Sequence, residues 1–157
     1  MIAVLQRVTK ASVEVENQVV GCCGKGMMIL LGVAKGDTEA DAEVLSAKIA
    51  KLRIFCDEND KMNLSLLDID GEALVISNFT LLANYKHGNR PDYFSAEVPE
   101  EANRLYGKFC ALLSDALGKP VSAGVFGADM QVEISNDGPV TIVMDSKVLI
   151  SQKETEK

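Results

Sequence analysis

The chain has a single histidine, His87, among its 157 residues, and this shortage excludes most catalytic designs that depend on an imidazole. A Ser-His-Asp triad could draw its base from His87 alone, and that residue lies in a stretch with the composition of a loop. Neither an HExxH zinc motif nor a phosphate-binding glycine loop is present. We therefore interpret His87 as a surface residue and expect no conventional catalytic set.

Cysteine pairs with metal-binding spacing are also missing. Cys22 and Cys23 are adjacent, Cys56 and Cys110 are isolated in apolar surroundings, and no CxxC pair occurs. This spacing argues against a zinc site and against a disulfide framework. The acidic run Asp57–Asp60 lacks the ligand spacing of a calcium loop. We predict four buried, reduced thiols, no metal and no cofactor.

No apolar run approaches the ~20 residues that a membrane-spanning helix needs, and the longest candidate is Gly26–Val33. The segment Met1–Arg7 has no basic stretch before an apolar one and no cleavage site, so we interpret it as a first strand and not as a signal peptide. We expect a cytoplasmic protein without a membrane partner.

Positive charge is scarce as well, because 16 Lys and Arg stand against 23 Asp and Glu and give a formal net charge of −7. Proteins that coat long nucleic acids neutralise many phosphates with Lys and Arg, so we expect no DNA partner. The charge still permits recognition of one short end of a nucleic acid. Lys86–Arg90 is a local basic patch, which we interpret as a solvated loop.

The apolar patterns predict about eight strands and two helices. Thr38 is a good N-cap for a helix that runs to Leu52, and Pro99–Leu117 forms a second helix. We predict an α+β fold in which mainly antiparallel sheets form a barrel-like core with two main helices. One domain would occupy residues 1–146, and residues 147–157 would form a frayed polar tail. The predicted strands are Ile2–Val8, Ser12–Val20, Gly26–Val33, Arg53–Phe55, Ala73–Phe79, Val121–Phe126, Met130–Ser135 and Val140–Met144.

Two short motifs remain as candidates for chemistry. Asn136–Pro139 interrupts two apolar runs and predicts a tight turn between two strands, which could direct carbonyl oxygens at a ligand. Ser77–Leu81 ends a strong strand, where hydroxyls, an amide and backbone N–H groups could bind a small substrate or stabilise an oxyanion. Either motif alone is weak.

Together, Ser77-Asn78-Phe79-Thr80 and Asn136-Asp137-Gly138-Pro139-Val140-Thr141 resemble the Ser-Gln-x-Thr-type and Asn-x-Gly-Pro-x-Thr segments of the D-aminoacyl-tRNA deacylase family. One departure is that Asn78 stands where the family usually has Gln, so its amide is one methylene shorter. The resemblance extends over nearly the whole chain through further segments: Ala3–Val8, Leu31–Val33, Asp37–Asp41, Leu52–Phe55, Lys61–Ser65, Asn89–Pro91 and Phe126–Met130.

The resemblance implies a homodimeric ester hydrolase that acts on the aminoacylated end of tRNA and releases D-amino acids, and also glycine mischarged on tRNA(Ala). A cis Gly138-Pro139 peptide would enter the partner's active site and exclude L side chains. Phe126 and Met130 would pack against the terminal adenine. The 2′-hydroxyl of that adenosine would replace a protein nucleophile. The implied catalytic positions are Ser77, Asn78, Phe79 and Thr80, with the Thr80 N–H near the scissile carbonyl.

Two other functions remain open at this point. A binding module of the same fold would hold an amino acid or a nucleotide end without turning it over, and Asn78 gives that reading its support. An esterase with Thr80 or Ser77 as nucleophile would instead cleave simple activated esters without tRNA.

Overall fold

A computed structural model describes residues 1–155 of the chain. Within them the chain forms eight strands, three α-helices and one 3-10 helix. None of the helices in this described part is long and apolar enough to cross a membrane. The elements in chain order are β1 (Ile2–Val15), β2 (Gln18–Cys23), β3 (Gly26–Gly32), α1 (Glu39–Ala50), β4 (Phe55–Cys56), β5 (Met62–Leu64), β6 (Glu72–Ser77), the 3-10 helix (Phe79–Leu82), α2 (Pro99–Leu117), β7 (Ser122–Ala123), β8 (Gln131–Asp145) and α3 (Ser146–Thr155).

The main sheet is organised around the long strand β1. Its first half pairs antiparallel with β3 and its second half with β2, while β8 pairs antiparallel along its whole length. Strands β6 and β7 continue the sheet in parallel with β3. Strand β2 then comes close to β7, so the six-stranded sheet nearly closes. The predicted barrel-like α+β fold is therefore confirmed, with a parallel segment in a mainly antiparallel sheet.

The helices cover one face of this sheet and complete its main core. Leu45 and Ile49 of α1 pack with Leu105 and Phe109 of α2, and all four are fully buried. Helix α1 begins as predicted at Thr38, whose backbone N–H donates to Asp41 Oδ2 at 2.8 Å. Helix α2 begins at the predicted proline and ends before a left-handed glycine.

The predicted turn at Asn136–Pro139 is wrong. The flanking runs belong to one strand, β8, and both pair antiparallel with β1 in the same direction. Gln6 pairs with Thr141 and Val8 pairs with Asn136, so several residues of β8 bulge out opposite a single residue of β1. A turn would have reversed the chain, whereas this bulge makes it protrude and then resume its register.

Several other boundaries differ from the prediction. The predicted strands Ile2–Val8 and Ser12–Val20 meet in a single β1, which ends at Val15. A hairpin turn follows at Glu16 and Asn17, which both have positive φ, within the turn that the sequence predicts at Glu16–Gln18. The short strand expected at Arg53–Phe55 is shifted to β4, and β5 was missed. The strand expected at Val121–Phe126 shrinks to β7, because the chain then leaves the sheet to line a cavity.

Two predicted features of the side chains and the C-terminus also need correction. Cys22 and Cys56 are exposed, so only part of the cysteine set is buried. Burial raises the pKa of Cys23 and of Cys110 to about 11, which keeps these two thiols protonated and unreactive at neutral pH. Helix α3 occupies Ser146–Thr155, where a frayed tail was expected, and residues 156 and 157 lie outside the described residues. The domain boundary at residue 146 stays a prediction.

Helix α3 is anchored by two buried carboxylates. Ser146 Oγ donates to Asp41 Oδ1 at 2.7 Å, and Lys147 Nζ lies 2.7 Å from the same oxygen and 3.1 Å from Asp37 Oδ1. Burial tends to raise the pKa of Asp41, but hydrogen bonds from Lys147, Ser146 and the Thr38 N–H outweigh it and lower the pKa to about 2.

This arrangement predicts a loss of stability in acid. Because the folded-state pKa of Asp41 lies below its unfolded value of 3.8, its contribution is complete above about pH 5 and disappears as the pH falls to about 2. We expect the free energy of unfolding in urea to fall by about 2 kcal/mol over that range on account of Asp41. Lys147→Met should flatten this dependence, whereas Lys51→Met, which removes an exposed lysine of α1's C-cap, should not. Identical pH profiles for the two variants would contradict the assignment.

Candidate active site

A cavity of about 680 Å³ lies at the carboxyl ends of the parallel strands β3 and β6. Its volume is typical of small-molecule sites. The wall is mostly apolar and is built from the ends of these strands, the 3-10 helix, the first half of α2 and the segment between β7 and β8. The lining residues are Leu30, Leu31, Val33, Ile76, Ser77, Asn78, Phe79, Thr80, Tyr93, Ala96, Glu97, Pro99, Ala102, Tyr106, Phe126, Gly127, Ala128, Asp129, Met130 and Val132.

The 3-10 helix is held close to the end of β3. The Asn78 N–H donates to Leu31 O at 2.8 Å, which continues the parallel pairing of β6 with β3 by one residue. A Cβ atom at Gly32 would lie 3.0 Å from the backbone oxygen of Asn78 and would also overlap Leu82 Cδ2, so a larger residue there would push the 3-10 helix away. This packing carries Phe79 and Thr80 to the edge of the cavity, where both are exposed.

Asn78 is the N-cap of the 3-10 helix. Its Oδ1 accepts a hydrogen bond from the Thr80 N–H at 3.1 Å and a second one from the Thr80 hydroxyl. Both donors of Thr80 are therefore directed at one amide oxygen. An amide oxygen is not a base, so this contact does not activate the Thr80 hydroxyl as a nucleophile.

Aromatic rings form two walls of the cavity. The ring of Phe79, which is 58% exposed, meets Tyr93 edge to face with centroids 5.0 Å apart. A second aromatic pair in the cavity lining is formed by Tyr106 and Phe126, whose ring centroids lie 6.0 Å apart. The buried Tyr106 hydroxyl donates to Val75 O at 2.8 Å, and burial raises the pKa of this phenol, so it stays a neutral hydrogen-bond donor.

The bulge of β8 lies outside this cavity. Gly138 and Pro139 are both exposed, the peptide bond between them is cis, and neither is among the described residues that line the cavity. Buried Arg7 holds the base of the bulge: its Nε lies 3.2 Å from Asp137 O and 3.1 Å from Asp137 Oδ2. The Asn136 amide donates to Arg7 O at 3.0 Å and to Val140 O at 3.3 Å, which closes the bulge from the other side.

Arg7 is itself tied to the body of the protein. It is 9% exposed, and its Nη1 donates to Ile54 O at 2.7 Å. The bulge is thus a supported protrusion, built so that Gly138 and Pro139 project from a fixed base. Such a protrusion can present its backbone to another molecule.

The structure brings six of the eight predicted site residues to one cavity and leaves two apart. Ser77, Asn78, Phe79 and Thr80 share the cavity with Phe126 and Met130, whereas Gly138 and Pro139 form the separate bulge. Their functional roles stay predictions.

Sequence reasoning missed Arg7, Tyr93 and Tyr106 at these sites. Arg7 left a signal, because a charged residue occupies an inward position of β1 on the same face as Ala3 and Leu5. The sequence contains no comparable signal for the two tyrosines, because only the packing of the loop and α2 brings them to the cavity wall. No group of three or more His, Cys, Asp or Glu in the described residues is placed to hold a metal ion.

Comparison with known proteins gives a consistent family. A family model described as D-Tyr-tRNA(Tyr) deacylase matches residues 4–145. A "D-aminoacyl-tRNA deacylase" of Persephonella marina is 58% identical over 149 residues, which are 95% of this chain and 100% of the relative. One of Clostridium botulinum is 54% identical over 146 residues, which are 93% of this chain and 97% of the relative.

Two solved structures share the fold. One, named "c-Myc DNA Unwinding Element Binding Protein", is 40% identical with a TM-score of 0.86 and covers 92% of this chain and 98% of its own. The other, described as "Structural Analysis of a probable eukaryotic D-amino acid tRNA deacylase", is 17% identical with a TM-score of 0.79 and the same coverage. At that identity the second comparison supports the fold alone.

Proposed function

The chain belongs to the D-Tyr-tRNA(Tyr) deacylase family, and from this we propose that it hydrolyses the ester bond of D-aminoacyl-tRNA and releases the free amino acid and the tRNA. The observation that carries the proposal is the convergence of Ser77–Thr80 with Phe126 and Met130 on one cavity. The cavity is large enough for an aminoacyl group beside an adenosine. Its apolar wall suits the adenine, and exposed polar groups lie where the ester would sit.

The proposed chemistry uses few protein groups. Phe126 and Met130 hold the terminal adenine, and the Thr80 N–H polarises the ester carbonyl. This N–H must first leave Asn78 Oδ1, which accepts it in the free protein. The 2′-hydroxyl of the terminal adenosine assists the attack of water on the carbonyl, so the ester bond breaks without a covalent enzyme intermediate. The arrangement of Thr80, whose hydroxyl faces an amide, supports this choice.

Chiral selection would depend on a second copy of the chain. Gly138 and Pro139 are exposed and lie outside the cavity of their own chain, so in the proposal they enter the cavity of the partner in a homodimer. There the backbone of the bulge leaves no room for an L side chain and admits a D side chain, or the hydrogen of glycine on tRNA(Ala). Because aminoacyl-tRNA is consumed in translation, we place this activity in the cytoplasm.

The direct test compares tRNA charged with D-tyrosine, L-tyrosine or glycine. We expect release of D-tyrosine and glycine, with L-tyrosyl-tRNA spared. Equal rates on the D and L esters would remove chiral selection from the proposal. Tight binding of the tRNA end without release of any amino acid would favour the binding module. Cleavage of simple activated esters, but not of charged tRNA, would favour the esterase.

A further inference from the structure

The segment that follows the 3-10 helix forms a pinched loop over residues 85–91. The loop is closed at its base by Asn84 and Asp92, whose backbones exchange hydrogen bonds of 2.8 and 3.0 Å. A third bond joins Asn84 Nδ2 to Asp92 Oδ2 at 2.8 Å. The seven residues between them are all exposed, so the loop stands out from the surface on a fixed base.

The charge of this loop has one sign. Lys86, His87 and Arg90 lie within five residues, and no acidic residue occurs from Tyr85 to Pro91. The nearest carboxylate in the sequence, that of Asp92, accepts hydrogen bonds at the base of the loop. The chain as a whole has a net charge of −7, so this basic loop creates a local positive electrostatic potential on an acidic protein.

The position of the loop connects it to the cavity. Both ends of the loop continue directly into lining segments, because Thr80 precedes it in the 3-10 helix and Tyr93 follows it. The ring contact between Phe79 and Tyr93 ties these two segments together at the cavity edge. A nucleic acid whose end entered the cavity across this edge would bring its adjoining backbone to the loop.

From these observations we propose that the loop at residues 85–91 binds the phosphates of the acceptor end of tRNA through Lys86 and Arg90. The proposal rests on the proposed function and adds to it the surface that holds the tRNA beyond its terminal adenosine. Tyr85, which is 80% exposed, offers a ring on which an unpaired base can stack. The sequence alone indicates only a solvated loop at Lys86–Arg90. Its position beside the cavity is what makes tRNA phosphates its proposed ligand.

The test is a binding measurement that needs no hydrolysis. The probe is an uncharged acceptor-stem RNA minihelix ending in CCA, followed by fluorescence anisotropy over a range of salt concentrations. Lys86→Ala/Arg90→Ala should weaken binding about tenfold or more at low salt, and the slope of log affinity against log salt should fall by about 1 to 2. Lys48→Ala/Lys51→Ala removes two exposed lysines of the α1 end and should leave both quantities unchanged.

A charge-preserving variant separates charge from shape. Lys86→Arg/Arg90→Lys keeps both positive charges and should retain most of the affinity, since phosphate contacts need charge more than one particular side chain. Unchanged affinity and salt slope in the alanine variant, an equal loss in the α1 control, or no retention in the exchanged variant would overturn the proposal. So would a change of oligomeric state by light scattering, because the loop would then serve the partner chain. Failure of the unaltered protein to release amino acids would count against the proposed function and leave this binding result standing.

Discussion

Gly138→Ala is expected to lower the rate of hydrolysis of D-tyrosyl-tRNA by about a hundredfold. It should also bring the hydrolysis rates of D- and L-tyrosyl-tRNA closer together. Gly138 has φ +123, which an alanine adopts only with strain of about 1–3 kcal/mol. A Cβ atom there would also lie 3.0 Å from Arg7 Nη2 and from Val140 Cγ2. Since Arg7 is buried and bonded to Ile54 O, the bulge has to move instead, and a displacement near 1 Å costs about 10²-fold in a positioned site.

The matched control for this variant is Gly107→Ala. Gly107 lies on an exposed part of α2, and a Cβ atom there would meet nothing within 4 Å. The Gly107→Ala variant should keep full activity and full discrimination between D and L esters. Steady-state rates on D- and L-tyrosyl-tRNA measure the effect, and thermal unfolding shows whether the fold is retained. Full activity and unchanged discrimination in Gly138→Ala would remove the bulge from the mechanism.

Mixed dimers can show which cavity the bulge serves. Thr80→Trp places a bulky ring at an exposed edge of the cavity and should block it, while its bulge stays intact. When Gly138→Ala and Thr80→Trp chains are mixed and allowed to exchange, a mixed dimer combines the intact cavity of the first chain with the intact bulge of the second. These two parts work together only if the bulge acts on the cavity of the partner chain. Activity should then exceed that of either variant alone. A mixture no more active than its components, or a monomer by light scattering, would place the bulge elsewhere.

The bulge also shows where sequence reasoning stopped. The apolar runs on both sides of Asn136–Pro139 correctly predicted strand structure, and the Asn-Asp-Gly-Pro chemistry correctly predicted an interruption. Local chemistry is the same for a hairpin turn and for a bulge, however. The difference lies in the partner: β1 is long enough to pair with both halves of β8, and its register with each half forces the extra residues outward.

The cavity was predictable to a similar degree. The end of a predicted strand pointed to Ser77–Thr80, and the family resemblance added Phe126 and Met130. These residues meet in the structure although about fifty residues separate them. Tyr106 comes from a helix whose apolar pattern indicates burial but not what the residue packs against, and Tyr93 comes from a loop without a periodic pattern. The contact between Asn78 and Thr80 depends on the close approach of the 3-10 helix to Gly32, which is a tertiary effect.

A tRNA whose terminal adenosine lacks the 2′-hydroxyl is expected to be hydrolysed about a thousandfold more slowly, while Thr80→Ala should slow hydrolysis of the normal substrate less than tenfold. The substrate hydroxyl is the group proposed to assist the attack, so its removal abolishes the assisted route. Thr80→Ala keeps the backbone N–H that is proposed to polarise the carbonyl, and loss of such a donor alone costs about a hundredfold or more. The Thr80 hydroxyl donates to Asn78 Oδ1, which is an amide oxygen and not a general base.

Single-turnover rates on D-tyrosyl-tRNA, corrected for spontaneous hydrolysis of each ester in buffer, measure both effects. The correction is needed because the 2′-hydroxyl also influences the uncatalysed reaction. A covalent mechanism predicts the opposite pattern, with Thr80→Ala slower by about a thousandfold or more and the 2′-deoxy ester cleaved normally. If Thr80→Ala is folded but slow and the 2′-deoxy ester is cleaved normally, Thr80 is the nucleophile. A general base would then be needed to accept the proton of its hydroxyl. Slow hydrolysis in both cases would instead show that the Thr80 hydroxyl, through Asn78, positions the same N–H that the substrate needs.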